Sequence, residues 1–292
     1  MIALIFSVIS SSLIFVLFKL FDRYKIDTFQ AIVFNYFMAF IIGFSLYGNQ
    51  WNPKSMDETG WMVYAAISAI LFIGLFFVMA KSAQINGVAS TSVAVKMSMA
   101  ISIILMIVGY SESFNILKII GILFAILGVF LVSYSKGSKT NATWMLLLLF
   151  FGSGALDFTL NYVQNYELGS MSTALFSAIG LGMAGIIGFL ILIVKFIDGS
   201  SKFQIKNVIA GIFLGIPNFF SIYLLILSYS TTGWQDSTVL AITNVSVVLL
   251  SSMIGFIAFK ENASKQKIIG LISAILAIGI LYLANNWNIT NK

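Results

Sequence analysis

Residues Glu112–Tyr134 read ESFNILKIIGILFAILGVFLVSY, and residues Glu261–Leu283 read ENASKQKIIGLISAILAIGILYL. These are two copies of one segment. Glu112 aligns with Glu261, Lys118 with Lys267, Gly121 with Gly270 and Ala125 with Ala274, without a gap. Each copy opens polar and then turns apolar on every face, over the roughly 20 residues a helix needs to cross a bilayer. A fainter match joins Ile41-Ile42-Gly43-Phe44 to Ile186-Ile187-Gly188-Phe189. The chain is therefore read as a fused duplication, with residues 1–137 as one copy and 138–292 as the other.

Outward from these segments the same apolar texture continues. Ten runs are long enough to span, near 2–21, 28–47, 61–80, 89–110, 115–134, 143–164, 171–196, 207–228, 238–259 and 267–284. Five fall in each copy. An odd number of spans per copy forces the two copies into opposite orientations. The expected fold is thus all-α, ten transmembrane helices as two inverted five-helix repeats around a central cavity, an arrangement characteristic of transporters. A β-barrel is excluded, because barrel strands alternate apolar and polar residues.

Composition agrees. The 292 residues are 60% hydrophobic and 9% charged, against roughly 25% charged in soluble domains, so lipid must be the solvent for much of the surface. The chain has no cysteine and no histidine, which removes thiol nucleophiles, imidazole bases and the commonest zinc ligands. No cofactor or metal is expected. The net charge of +6 comes from lysines scattered between apolar runs, so no nucleic-acid partner is expected. Lys19, Arg23, Lys25, Lys81, Lys136, Lys139, Lys195, Lys202, Lys206, Lys260, Lys265 and Lys267 flank the loops after odd-numbered spans, whereas Lys54 and Lys118 flank the even ones. That bias places the odd loops in the cytoplasm. Met1 opens directly on an apolar run without a basic leader, so the first span is expected to be retained, in a prokaryotic inner (plasma) membrane. Trp51, Trp61, Trp144, Trp234 and Trp287 lie near span ends, where an interfacial belt is expected.

Each copy ends in the pattern E-x(8)-G-x(3)-A, and Phe18-Lys19 and Ala80-Lys81 close the first and third spans. In these features the chain resembles the EamA-type domain of the drug/metabolite transporter superfamily in its duplicated 5+5 form. The resemblance implies alternating access and export of a small solute such as an amino acid or other metabolite. Where that family often has an arginine early in the second span and a proline in the fourth, this chain has Asn35 and Met99.

The candidate site residues follow from cost. Charges inside lipid are expensive, so they mark pathways, partner one another, or snorkel to the interface. Lys96 lies in the fourth span and Asp157 deep in the sixth. Lys96 could meet a carboxylate or phosphate; Asp157 could meet an ammonium or carry a coupling proton; or the two could simply pair. Asn35, Asn161, Asn218 and Asn244 are next, as cavity walls or as interhelical hydrogen bonds. Tyr223, with Tyr64 and Tyr162, needs a partner for its hydroxyl. Pro217 removes a backbone donor, so Gly215 and Pro217 are a candidate hinge. Gly121, Ala125, Gly128 and the glycines from Gly180 to Gly188 are read as packing residues, and Glu112 and Glu261 as caps or loop anchors.

The expected function is secondary transport of a small charged or zwitterionic solute, with proton or exchange coupling, since no G-x(4)-G-K-[ST] motif is present for direct ATP use. A channel is the alternative. An intramembrane enzyme is not expected, although Ser92 and Lys96 share a helix face.

Overall fold

The computed structural model describes residues 1–50, 60–110, 116–133, 142–168, 171–232 and 236–290. Trp51, Lys54, Glu112, Lys136, Lys139 and Trp234 lie outside these residues, as does the side chain of Trp287. Among the described residues there is no strand. The helices are α1 (Ile2–Arg23), α2 (Thr28–Tyr47), α3 (Trp61–Ile85), α4 (Val88–Met97), α5 (Met99–Tyr110), α6 (Ile116–Ser133), α7 (Thr143–Tyr166), α8 (Thr173–Ile197), α9 (Ile205–Thr231), α10 (Asp236–Ile257) and α11 (Lys265–Thr290).

Counting α4 and α5 as one span over Val88–Gly109, 8 helices among the described residues are long and apolar enough to cross a membrane. The two other expected spans, α6 and α10, carry shorter apolar stretches, Ile116–Val132 and Ile242–Ile257. Large aliphatic side chains such as Ile70, Val108, Val194 and Leu283 are exposed, which in water would be a liability and in lipid is the ordinary outer face.

The chain divides into two compact units. The first holds Met1–Lys19, Val78–Phe158 and Ser221–Lys292; the second holds Leu20–Phe77 and Thr159–Phe220.

In the first unit α6 and α11, the two copies of the duplicated segment, pack against each other. Glycine makes the approach possible. A Cβ on Gly128 would come within 3.1 Å of the Ala274 nitrogen and the Gly270 oxygen, and one on Gly121 within 2.6 Å of Leu281 Cγ. Small residues that let backbones meet are the main means of helix association where lipid is as apolar as the helix. Val93, Met97, Val129, Val248, Ala274 and Ile278 form the core between α4, α6, α10 and α11.

In the second unit α2 packs on α8, with Gly182 against Phe40 and Gly188 against Val33 and Ile73. A second small-residue face, Gly211 and Gly215 on α9, lies against α2. A Cβ on Gly211 would come within 2.5 Å of the Ala31 oxygen, and one on Gly215 within 2.7 Å of Met38 Cβ. The start of α2 is held by a polar network. Asp27 Oδ1 accepts from the Phe29 and Gln30 nitrogens at 3.0 and 3.2 Å, a standard N-cap. Asp27 Oδ2 accepts from Ser201 Oγ at 2.9 Å, and Asn207 bridges the Asp27 nitrogen and Gln30 Oε1. Trp61, expected in the interfacial belt, is instead buried against Phe176 at a ring distance of 6.5 Å. Its large apolar area gains more from that core than from headgroup contact. Trp144 is exposed.

Candidate functional site

The fourth span is not one helix. Regular α-structure stops at Met97 and resumes at Met99. Between them Ser98 has φ −53° and ψ −21°, the tighter 3₁₀ geometry. Its carbonyl accepts from the Ile101 nitrogen at 2.9 Å, an i→i+3 bond, and from the Ser102 nitrogen at 3.1 Å. The sequence there is Lys96-Met97-Ser98-Met99, without proline or glycine; the Ser98 hydroxyl bonds back to the preceding turn, a contact that often bends helices. Gly154 on α7 lies so close that a Cβ would come within 2.6 Å of Ile101 Cβ and 2.7 Å of the Ser98 oxygen. Mid-helix 3₁₀ turns often mark functional hinges.

Three of the candidate residues gather at this break, all in the first unit. Lys96 sits in the last turn of α4, where a cation complements the partial negative charge of a helix C-terminus. It is half-buried. Asp157, on α7, interacts electrostatically with Lys96 and receives one weak hydrogen bond, from Ser98 Oγ at 3.4 Å. The Ser98 hydroxyl also donates to the Val95 oxygen, at 2.6 Å. The Asp157 side chain is exposed, although it lies about 21 Å along α7 from Thr143 at 1.5 Å per residue. Asn244 on α10 reaches the first residue of α5, its Nδ2 lying 3.8 Å from Met99 Sδ.

The remaining candidates are elsewhere. Asn35 and Asn218 are buried in the second unit and paired, Asn218 Nδ2 donating to Asn35 Oδ1 at 3.1 Å. This is interhelical hydrogen bonding between α2 and α9. Gly215 belongs to the small-residue face of α9 that lies against α2, and α9 runs as one helix through Pro217. Asn161 is partly exposed and accepts from Asn165 Nδ2 at 3.0 Å. Tyr223 is half-buried on the part of α9 in the first unit. The Tyr64 and Tyr162 rings pack together in the second unit, tilted by 45° with centroids 5.2 Å apart.

A cavity of about 440 Å³ in the second unit is lined by Phe37, Phe40, Phe44, Trp61, Met62, Ile179, Gly182, Met183 and Ile186. It offers no polar side chain to a charged solute. Among the described residues no group of three acidic side chains gathers that could hold a metal.

Sequence reading alone misses the break at Ser98, because a single serine inside a spanning helix is a weak signal of a bend. It also misses Gly154, one of many glycines in spanning helices, whose contact is with a residue far away in sequence. The repeat does point to Glu261. Its carboxylate caps α4, accepting from the Val88 and Ala89 nitrogens at 2.6 and 3.3 Å.

Apolar helices long enough to span, with ionisable groups held inside them, define a multi-pass helical membrane protein. Residues 1–134 match the EamA-like transporter family. An uncharacterized protein of Haemophilus influenzae is 30% identical over 290 residues, covering 96% of this chain and 97% of that protein. A solved crystal structure with 12% identity matches with a TM-score of 0.58 over 95% of this chain and 98% of the other, a likeness of fold. The chain belongs to the EamA-like transporter family, a family of membrane transporters within the drug/metabolite transporter superfamily.

Proposed function

We propose that the protein is a secondary transporter that moves a small charged or zwitterionic solute by alternating access, in the direction of export, across an inner (plasma) membrane. The observation that carries this reading is the electrostatic interaction of Lys96 and Asp157 beside the Ser98 break. Unwound or tightened backbone inside a spanning helix, with charges beside it, is where transporters bind solutes and coupling ions. Lys96 serves as the counter-charge for a carboxylate or phosphate and Asp157 for an ammonium group. Solute or a proton breaks their mutual attraction, which couples binding to release. Asn244 lends a neutral donor and acceptor at the same break. The two copies, 1–137 and 138–292, act as inverted repeats, supported by the packing of corresponding helices α6 on α11, α2 on α8 and α4 on α10. Asn161 and Tyr223 are the next candidates for solute contact. Asn35 and Asn218, paired with each other, serve to fasten α2 to α9.

The test is ligand-induced thermal stabilisation of the purified protein across amino acids, carboxylates and phosphates, in wild type, Lys96→Ala and Asp157→Asn. A ligand at 100 times its Kd stabilises the folded state by about 2.7 kcal/mol. The expected result is stabilisation of wild type by one class and its loss in the variant lacking the matching charge. Saturable counter-flow in proteoliposomes then marks a carrier, whereas simple conductance marks a channel. Equal responses in all three proteins would remove Lys96 and Asp157 from the site.

A further inference from the structure

The N-terminus of α4 is closed by a residue from a distant part of the chain. Gly87, at the N-cap position, has no side chain to offer, and its φ of +95° is one that other residues rarely adopt. Glu261, just beyond α10, supplies the cap. Its Oε1 accepts from the Val88 nitrogen at 2.6 Å and its Oε2 from the Ala89 nitrogen at 3.3 Å. The carboxylate sits in a slot between two glycines. A Cβ on Gly87 would come within 2.5 Å of Glu261 Oε2, and one on Gly255 of α10 within 2.8 Å. Lys267, at the start of α11, interacts with Glu261 electrostatically.

Two further observations bear on this corner. The buried hydroxyls of Ser90 on α4 and Ser252 on α10 make no hydrogen bond, although unsatisfied buried groups are costly. The far end of α4 is the turn at Ser98, and mid-helix turns of this kind often mark hinges. Lys96 lies about 12 Å along the axis from Val88, so movement of the capped end is transmitted to the charged end.

We propose that Glu261 is a latch and a positioning residue. Its carboxylate holds the first turn of α4 against the corner between α10 and α11, and α4 moves as a separate half-helix about Ser98 when the latch opens. Ser90 and Ser252 gain partners in the released arrangement. This inference stands whatever the solute is, so its failure and that of the transporter reading are distinguishable.

The chain lacks cysteine, so one introduced thiol is a clean probe. Ser90→Cys places it at a buried position of α4 that gives up no hydrogen bond. The rate of labelling by a water-soluble maleimide is measured in detergent micelles, alone and combined with Glu261→Ala or Gly255→Ala. The Gly255→Ala change favours the helix by propensity while driving the carboxylate from its slot. Ser68→Cys, equally buried but on α3 in the second unit, reports general loosening. Both variants should raise Ser90→Cys labelling by about tenfold or more, equivalent to about 1.4 kcal/mol, with Ser68→Cys unchanged. Unchanged Ser90→Cys labelling overturns the latch, and so does a parallel rise at both positions.

Discussion

Replacing Gly154 by alanine tests whether α7 and the Ser98 break are in the contact described. The added methyl would stand 2.6 Å from Ile101 Cβ, 2.7 Å from the Ser98 oxygen and 2.9 Å from Ile101 Cγ2. Carbon atoms at rest sit about 3.5–4.0 Å apart, so the shortfall approaches about 1 Å. None of these neighbours is the tip of a flexible side chain. Two belong to the base of a β-branched residue, and the third is a carbonyl already bonded to the Ile101 and Ser102 nitrogens. Overpacking of this kind costs about 1–3 kcal/mol, and rigid neighbours place it at the upper end. Against that, alanine gains about 0.8–1.0 kcal/mol over glycine in a helix interior. The net expectation is destabilisation by about 2 kcal/mol. Gly279→Ala, in α11 with nothing within 4 Å of its Cβ, gains the same propensity and meets no clash. The two variants should therefore differ by about 3 kcal/mol with opposite signs. Unfolding by denaturing detergent in mixed micelles, followed by tryptophan fluorescence, measures that difference. Asp157 lies one turn from Gly154, so Gly154→Ala should also abolish ligand stabilisation that depends on Asp157. Equal stability of Gly154→Ala and Gly279→Ala would refute the close approach of α7 to Ser98.

A double-mutant cycle on Asn35→Ala and Asn218→Ala should give a coupling energy of about 0.6 kcal/mol, the average for hydrogen bonds between spanning helices; a value indistinguishable from zero in the same unfolding assay would show that the 3.1 Å contact contributes nothing. Asp27→Ala removes the N-cap of α2 and the acceptor for Ser201, and should destabilise by about 1–2 kcal/mol, while Asp27→Ser retains most of the capping contribution. At the end of α8 the Ser200 hydroxyl and backbone nitrogen hold the Asp198 carboxyl below its usual range. A lowered folded-state value contributes stability above the ordinary carboxylate range and loses it as pH falls through the lowered value. Asp198→Asn should therefore slightly flatten the acid limb of a stability–pH curve, a small effect at so exposed a position.

The spans were legible because hydropathy is a local property that lipid reads directly, and α1 to α3 and α7 to α9 begin and end close to the apolar runs that predicted them. The duplicated segment lies on α6 and α11, and Gly128 and Gly270 have backbone neighbours in the opposite helix. The fourth span shows where local reading stops. Lys96-Met97-Ser98-Met99 carries no proline or glycine, and the close approach of Gly154, a residue more than fifty positions on, is visible only in the structure. Pro217 carries the stronger local signal, yet α9 continues through it, as spanning helices tolerate when neighbours re-satisfy the freed carbonyl. For the candidate residues the sequence named chemical types and not partners. Asn35 and Asn218 were visible as costly amides, but only the packing of Gly211 and Gly215 on α2 brings them within bonding distance. Lys96 and Asp157 were visible as charges, and the break beside them was not.

An ionised carboxylate has about four lone-pair positions at which to accept hydrogen bonds. Among the described residues Asp157 fills one of them, and that one is the 3.4 Å contact from a hydroxyl whose shorter bond goes to Val95. Its other positions meet no donor among the described residues, and the charge it feels is that of Lys96, the two features on which the proposed solute contact rests.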